Sequence, residues 1–154
     1  MSRRIDYRTA APKGMQAFGG VHAYIDQSGL PRTLVNLVYL RISQINGCPY
    51  CVATHARDLI KEGVAAEKLL LLPVWRESGE HFSAAERAAL RWAEAVTHVA
   101  AAHPSEADYQ AAAAQFSDKE LADLTFSISL INAYNRIAIS FRQGPDGALL
   151  ENEE

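Results

Sequence analysis

The 154-residue chain holds only two cysteines, and they lie three positions apart, so no network of disulfides is available to staple the fold together. None is required: a chain of this length buries enough surface to fold on its hydrophobic core alone. No apolar run approaches the roughly 18 residues that a membrane span needs, and the leading segment "MSRRIDYRTAAPKG" lacks the apolar stretch of a secretory signal. These absences predict a cytoplasmic protein, in a reducing compartment where a close cysteine pair is more often redox-active or metal-binding than a permanent crosslink. The formal net charge is −3 and no basic patch with interleaved aromatics occurs, which argues against nucleic-acid and membrane partners. Charge is nonetheless uneven. Residues 1–77 carry ten Lys and Arg against six Asp and Glu, and residues 78–154 carry five against twelve, an asymmetry that solvated helix faces and the acidic tail "ENEE" account for.

Sustained period-two alternation is also missing. Apolar residues recur instead every three or four positions, which predicts an all-α, single-domain helical bundle of about six to eight helices spanning residues 1–154, with loose termini. A helix is expected from about Met15 to Gln27. Pro31 opens a second in its first turn, with Leu34, Val35, Leu37, Val38, Leu40 and Ile42 covering most of its circumference. Asn36 and Ser43 interrupt that surface on one face. Buried polar groups need partners, so these two either wall a site or bond to nearby backbone. Asn46-Gly47 is turn chemistry, and Pro49 starts a third helix running to about Lys61. A short helical stretch near residues 65–78 comes next. Capping boxes at Ser83/Glu86 and Ser117/Glu120 announce two long helices, to about Ala101 and Arg142, with an alanine-rich helix between them. Trp75 and Trp92 read as core or interface anchors, and Arg136 as a partner for an acidic group or a neighbouring subunit, or as a surface residue.

The stretch "INGCPYCVATH" carries both cysteines. With Pro49 as the first helical residue, Cys48 is the N-cap, Cys51 lies one turn in and His55 one turn further, all on one face. Free amides and the positive end of the helix dipole favour a thiolate there, and a neighbouring imidazole can accept the thiol proton. A two-residue gap also lets one sulfur resolve an oxidised intermediate on the other. A zinc site would need a fourth ligand, and His22, His81, His98 and His103 form no second pair with suitable spacing. A purely structural disulfide would close too short a loop to stabilise much.

Here the chain resembles a known family. "LVYLRISQINGCPYCVATHARDLIKEG" looks like the core motif of the AhpD-like alkylhydroperoxidases of the carboxymuconolactone decarboxylase superfamily, and "WRESGEHFSAAERAALRWAEAVTHV" and "INAYNRIAISFR" resemble segments that follow it; the likeness covers about residues 30–142. It implies an all-helical fold assembling as trimers or hexamers, with thiol peroxidase or disulfide reductase activity on hydroperoxides, no cofactor and no metal, and a lipoyl-type or thioredoxin-type dithiol as reductant. By position, Cys51 takes the role of the sulfur that attacks peroxide, Cys48 that of its resolving partner and His55 that of the proton-relay histidine. The helix-end argument taken alone makes Cys48 the more acidic sulfur. Two departures from the family pattern stand out: Asn36 occupies the place of a relay glutamate, and Pro49 and Tyr50 stand where other members have a histidine. The relay is thus shortened to His55, with Ser43, Tyr39 or Tyr50 as helpers. A redox-responsive oligomer is the alternative, and lactone decarboxylation ranks below both.

Overall fold

The computed structural model describes residues 2–145; the tail "ENEE" and the end of "GPDG" lie outside the described residues. Among these residues eight α-helices follow one another: α1 Tyr7–Ala10, α2 Pro12–Asp26, α3 Arg32–Asn46, α4 Pro49–Lys61, α5 Ala66–Leu71, α6 Ala84–Thr97, α7 Glu106–Ala113 and α8 Asp118–Ser140, with 3-10 turns at Leu72–Glu77 and Gly79–His81. No strand occurs among the described residues. The all-α expectation is met.

Helix α3 is the hub, because its apolar residues cover nearly the whole circumference. Val35, Val38 and Ile42 pack into one core with Leu124 and Ile128 of α8 and Ala89 and Ala93 of α6. Leu37 and Leu40 face a second core with Leu59 of α4, Leu72, Trp75, Phe82 and Leu90. Each such side chain contributes about 1.5–3 kcal/mol on burial, so α3 is held from both sides and presents α4 in a fixed orientation. A polar tie reinforces it: Glu94 on α6 accepts from Arg41 Nε of α3 at 2.7 Å, Trp75 Nε1 at 2.9 Å and Arg76 Nη2 at 2.6 Å. A second joins α2 to α8, where Asp123 accepts from Tyr24 Oη at 2.7 Å and Lys119 Nζ at 2.6 Å.

Local signals set most boundaries. Both expected capping boxes form, and a third, Ser105/Asp108, opens α7. Three expectations shift. Pro31 is the N-cap of α3 rather than its first helical residue: its ψ of 126° is extended, while its carbonyl accepts the first helical bond, from Val35 N at 3.1 Å. Helix α6 stops at Thr97, not Ala101, and residues 98–102 turn ahead of Pro104, which disfavours helix in the residue before it. The N-terminus, expected to be loose, is packed down. Tyr7 is buried with its ring 5.8 Å from that of Phe141, and Arg4 N donates to Phe141 O at 3.1 Å. Helix α2 correspondingly begins at Pro12 rather than Met15.

Candidate active site

The turn from α3 to α4 places the two sulfurs. Gly47, with φ of 70°, closes α3 in the left-handed region, where a side chain would be strained. Cys48 N donates to Ser43 O at 3.0 Å. Cys48 is then the N-cap of α4, its Sγ accepting from Cys51 N at 3.3 Å, and Pro49 occupies the first turn without wasting a donor. Cys48 and Cys51 form a disulfide with Cα atoms 5.4 Å apart. Both are buried, against Ala138 of α8 and Tyr50.

This corner is braced from behind by amides that no spacing argument singled out. Asn135, fully buried on α8, donates Nδ2 to Ser43 Oγ at 3.1 Å and accepts from Asn46 Nδ2 at 2.9 Å. Asn46 Nδ2 also donates to Asn132 Oδ1 at 2.9 Å. Ser43 therefore positions the turn instead of walling a cavity. Arg136 donates to Asn132 O at 2.9 Å and Oδ1 at 3.1 Å on its own helix, not to an acidic group. Trp75 is a core residue and Trp92 donates to Thr125 Oγ1 at 2.9 Å.

Cys51, but not Cys48, lines a cavity of about 250 Å³ shared with Tyr7, Arg8, Tyr50, His55 and Tyr134. The surface of Cys48 is wholly covered. Arg8 Nη2 donates to Tyr50 Oη at 3.0 Å, and Arg8 Cζ lies 5.7 Å from the centre of its ring, so the guanidinium is held over Tyr50 at the cavity. A second cavity, of about 330 Å³, adjoins the first; Asn36, Asp26, Arg32 and Asp58 line it, and His22, Tyr39, Thr54 and His55 line both.

Two features of these cavities bear on proton transfer. Asn36 does face the second cavity, but its Nδ2 donates to Glu62 Oε1 at 2.8 Å, and Glu62 also pairs with Arg32 Nε at 3.2 Å. His55 lies against Tyr39, ring centres 5.0 Å apart, and its Nδ1 is buried without a hydrogen-bond partner. Burial pushes His55 down to about 4, the Asp58 carboxylate opposing that only in part. At neutral pH the ring is uncharged in this disulfide form. Burial likewise pushes the Tyr39 phenol up, leaving it protonated. Among the described residues no three His, Cys, Asp or Glu side chains converge as a metal site requires, and no helix is long and apolar enough to cross a membrane.

Residues 10–95 match the family model for the carboxymuconolactone decarboxylase family. The chain belongs to that family. It is 32% identical over 140 residues to the uncharacterized protein YdfG of Bacillus subtilis (strain 168), covering 91% of this chain and 95% of that one. A crystal structure of an Agrobacterium tumefaciens protein of unknown function, suggested to be the antioxidant defence protein AhpD, is 37% identical with a TM-score of 0.89, covering 92% of this chain and 97% of the other. The debrominase Bmp8 shares the fold alone, at 23% identity and a TM-score of 0.80 over 91% of this chain and 75% of its own. Within this AhpD-like branch of the family, Arg8, His22 and Tyr134 at the cysteine cavity and Glu62 beside Asn36 were not singled out from sequence. Only the four-residue spacing of His22 and Asp26 offered a signal, and the turns between α1, α2 and α4 hid its relevance.

Proposed function

We propose that the protein is a thiol-dependent peroxidase and disulfide oxidoreductase that reduces hydroperoxides through Cys51 and Cys48. The observation that carries this reading is the sulfur pair closed at the start of α4 with Cys51 facing a cavity. In the reduced protein the Cys51 thiolate attacks the terminal oxygen of ROOH; the O–O bond breaks, RO⁻ takes a proton to leave as ROH, and Cys51 becomes a sulfenic acid. The Cys48 thiolate then attacks that sulfur, displacing hydroxide, which leaves as water after taking a proton, and the disulfide forms. A dithiol of lipoyl or thioredoxin type restores both thiols by two exchange steps, itself becoming a disulfide. The cap position of Cys48 and the first-turn position of Cys51 both favour thiolates. His55, Tyr39 and Tyr50 shape the cavity wall, and Asn36 and Ser43 act from the adjoining cavity and the bracing network.

We further propose a cytoplasmic homo-oligomer, a trimer or hexamer, with exposed apolar side chains such as Leu70 and Phe126 in subunit contacts. The test is peroxide consumption with a dithiol donor. Cys51→Ser is expected to fall to background, and Cys48→Ser to accumulate a trappable sulfenic acid on Cys51; full activity in Cys51→Ser would refute the reading. A second reading, a redox-responsive oligomer with little turnover, is favoured by the amide at Asn36 and the uncharged His55. It predicts different sedimentation of oxidised and reduced protein.

A further inference from the structure

The peroxidase reading leaves open which group takes the proton from Cys51 and returns it to the departing oxygen. The cavity at Cys51 narrows the choice. No carboxylate lines it among the described residues. On α1, Arg8 stays charged at any working pH and Tyr7 is packed against Phe141. On α3, Tyr39 is a buried phenol, and on α8 Tyr134 is a phenol that burial also holds protonated. On α4, Tyr50 already accepts from Arg8, Thr54 donates its hydroxyl to Tyr50 O at 2.9 Å, and His55 is so deeply buried that taking up a proton is disfavoured. One titratable side chain remains, on α2.

His22 reaches the same cavity, and its Nδ1 lies 3.1 Å from Asp26 Oδ2, one turn along the helix. A carboxylate on Nδ1 fixes the tautomer and leaves Nε2 as the exchanging nitrogen, and it stabilises the imidazolium when the proton arrives. The pair is partly solvated, with side chains 47% and 56% exposed, so the charged ring does not carry the desolvation penalty that His55 does. The other charged groups near it, Arg32 and Asp58, line the adjoining cavity. His22 also disfavours a proton on His55.

We propose that His22, held by Asp26, is the proton carrier of this site, directly or through one water. It accepts the Cys51 thiol proton, leaving thiolate and imidazolium. When the O–O bond breaks, the imidazolium gives that proton to RO⁻ and returns to neutral, while Cys51 ends as the sulfenic acid. This rests on the peroxidase reading above, and it puts the function of the family's relay glutamate on a different helix.

The experiment compares the pH dependence of peroxide reduction in wild type, His22→Gln, Asp26→Asn and His55→Gln. His22→Gln should lower the rate at pH 7 on the order of 10²-fold, a common size for general acid–base catalysis, and should flatten the profile between about pH 5 and 8, where histidines titrate. Asp26→Asn should give an intermediate loss. His55→Gln should keep the limb of the profile even where its rate falls. A His22→Gln enzyme with the wild-type profile, or loss of the limb in His55→Gln instead, overturns the proposal. Should wild type consume no peroxide, the functional reading fails by itself. Alkylation of Cys51 in reduced Cys48→Ser protein still decides the point: adding His22→Gln should move the pH at which Cys51 reacts, and an unmoved curve refutes the role.

Discussion

Arg8 Nη2 lies 3.0 Å from the hydroxyl of Tyr50, so the first helix of the chain is fastened to the residue just before Cys51. That bond links α1 to the redox corner, and with Tyr7 and Arg8 the N-terminal segment forms part of the wall of the cavity at Cys51. Removing residues 1–11 is therefore expected to speed reduction of the Cys48–Cys51 disulfide by a small dithiol about tenfold or more, as followed by thiol titration. Arg8→Ala alone should give a smaller increase, because Tyr7 still anchors the segment.

Tyr7 supplies that anchor by burying an aromatic ring beside Phe141. Tyr7→Ala should cost about 3 kcal/mol of stability by the usual scale for large-to-small changes, measured as a lower denaturation midpoint in urea. Tyr7→Phe should cost much less.

His55 gives stability a pH dependence of known sign. The folded ring is held near 4 by burial, whereas an unfolded histidine protonates near 6.5. Between those values the unfolded chain binds the extra proton, so this residue lowers stability as pH falls from about 6.5 to about 4 and contributes no pH dependence above that window. Denaturant midpoints taken across it should fall more steeply for wild type than for His55→Gln.

Glu94 acts at lower pH. Burial opposes its charge, but the hydrogen bonds from Trp75, Arg41 and Arg76 outweigh that and hold its carboxyl below the usual carboxylate range. Its contribution is therefore full above about 4.3, the ordinary glutamate value, and is lost as pH falls through the lower folded value. Glu94→Ala should destabilise by about 3 kcal/mol at pH 7, since it leaves Arg41 and the Trp75 indole without their acceptor.

Asn135 is satisfied at both ends of its amide by the last turns of α3. Asn135→Ala strands Ser43 Oγ and one partner of Asn46 beside the turn that carries Cys48, and should cost about 2–4 kcal/mol. Asn135→Asp keeps the acceptor but loses the donor to Ser43, and should show a rise in stability as pH drops through the carboxylate range.

The helices were legible because helix signals are local. Pro49 after Asn46-Gly47, and serine followed three residues later by glutamate, specify ends from neighbouring residues only, and the apolar circumference of α3 announced its central place. The sulfur geometry was legible for the same reason: N-cap and first-turn positions three residues apart can meet wherever the helix is put. The same spacing put His55 beside Cys51, where both line one cavity, but could not show how deeply the ring is buried, since that depends on what covers it.

Sequence alone thus determined the all-helical architecture, the start of α4 at Pro49 and the pairing of Cys48 with Cys51, all products of hydrogen bonds closed within one turn of helix. Tertiary packing decided the rest. Packing of α1 and α2 against the rest of the bundle brought Arg8 and His22 to the cavity of Cys51, 43 and 29 positions further along the chain, buried His55, turned Asn36 toward Glu62 and set Asn135 behind the active turn. Those outcomes depend on desolvation and on partners from distant segments, which no local pattern encodes.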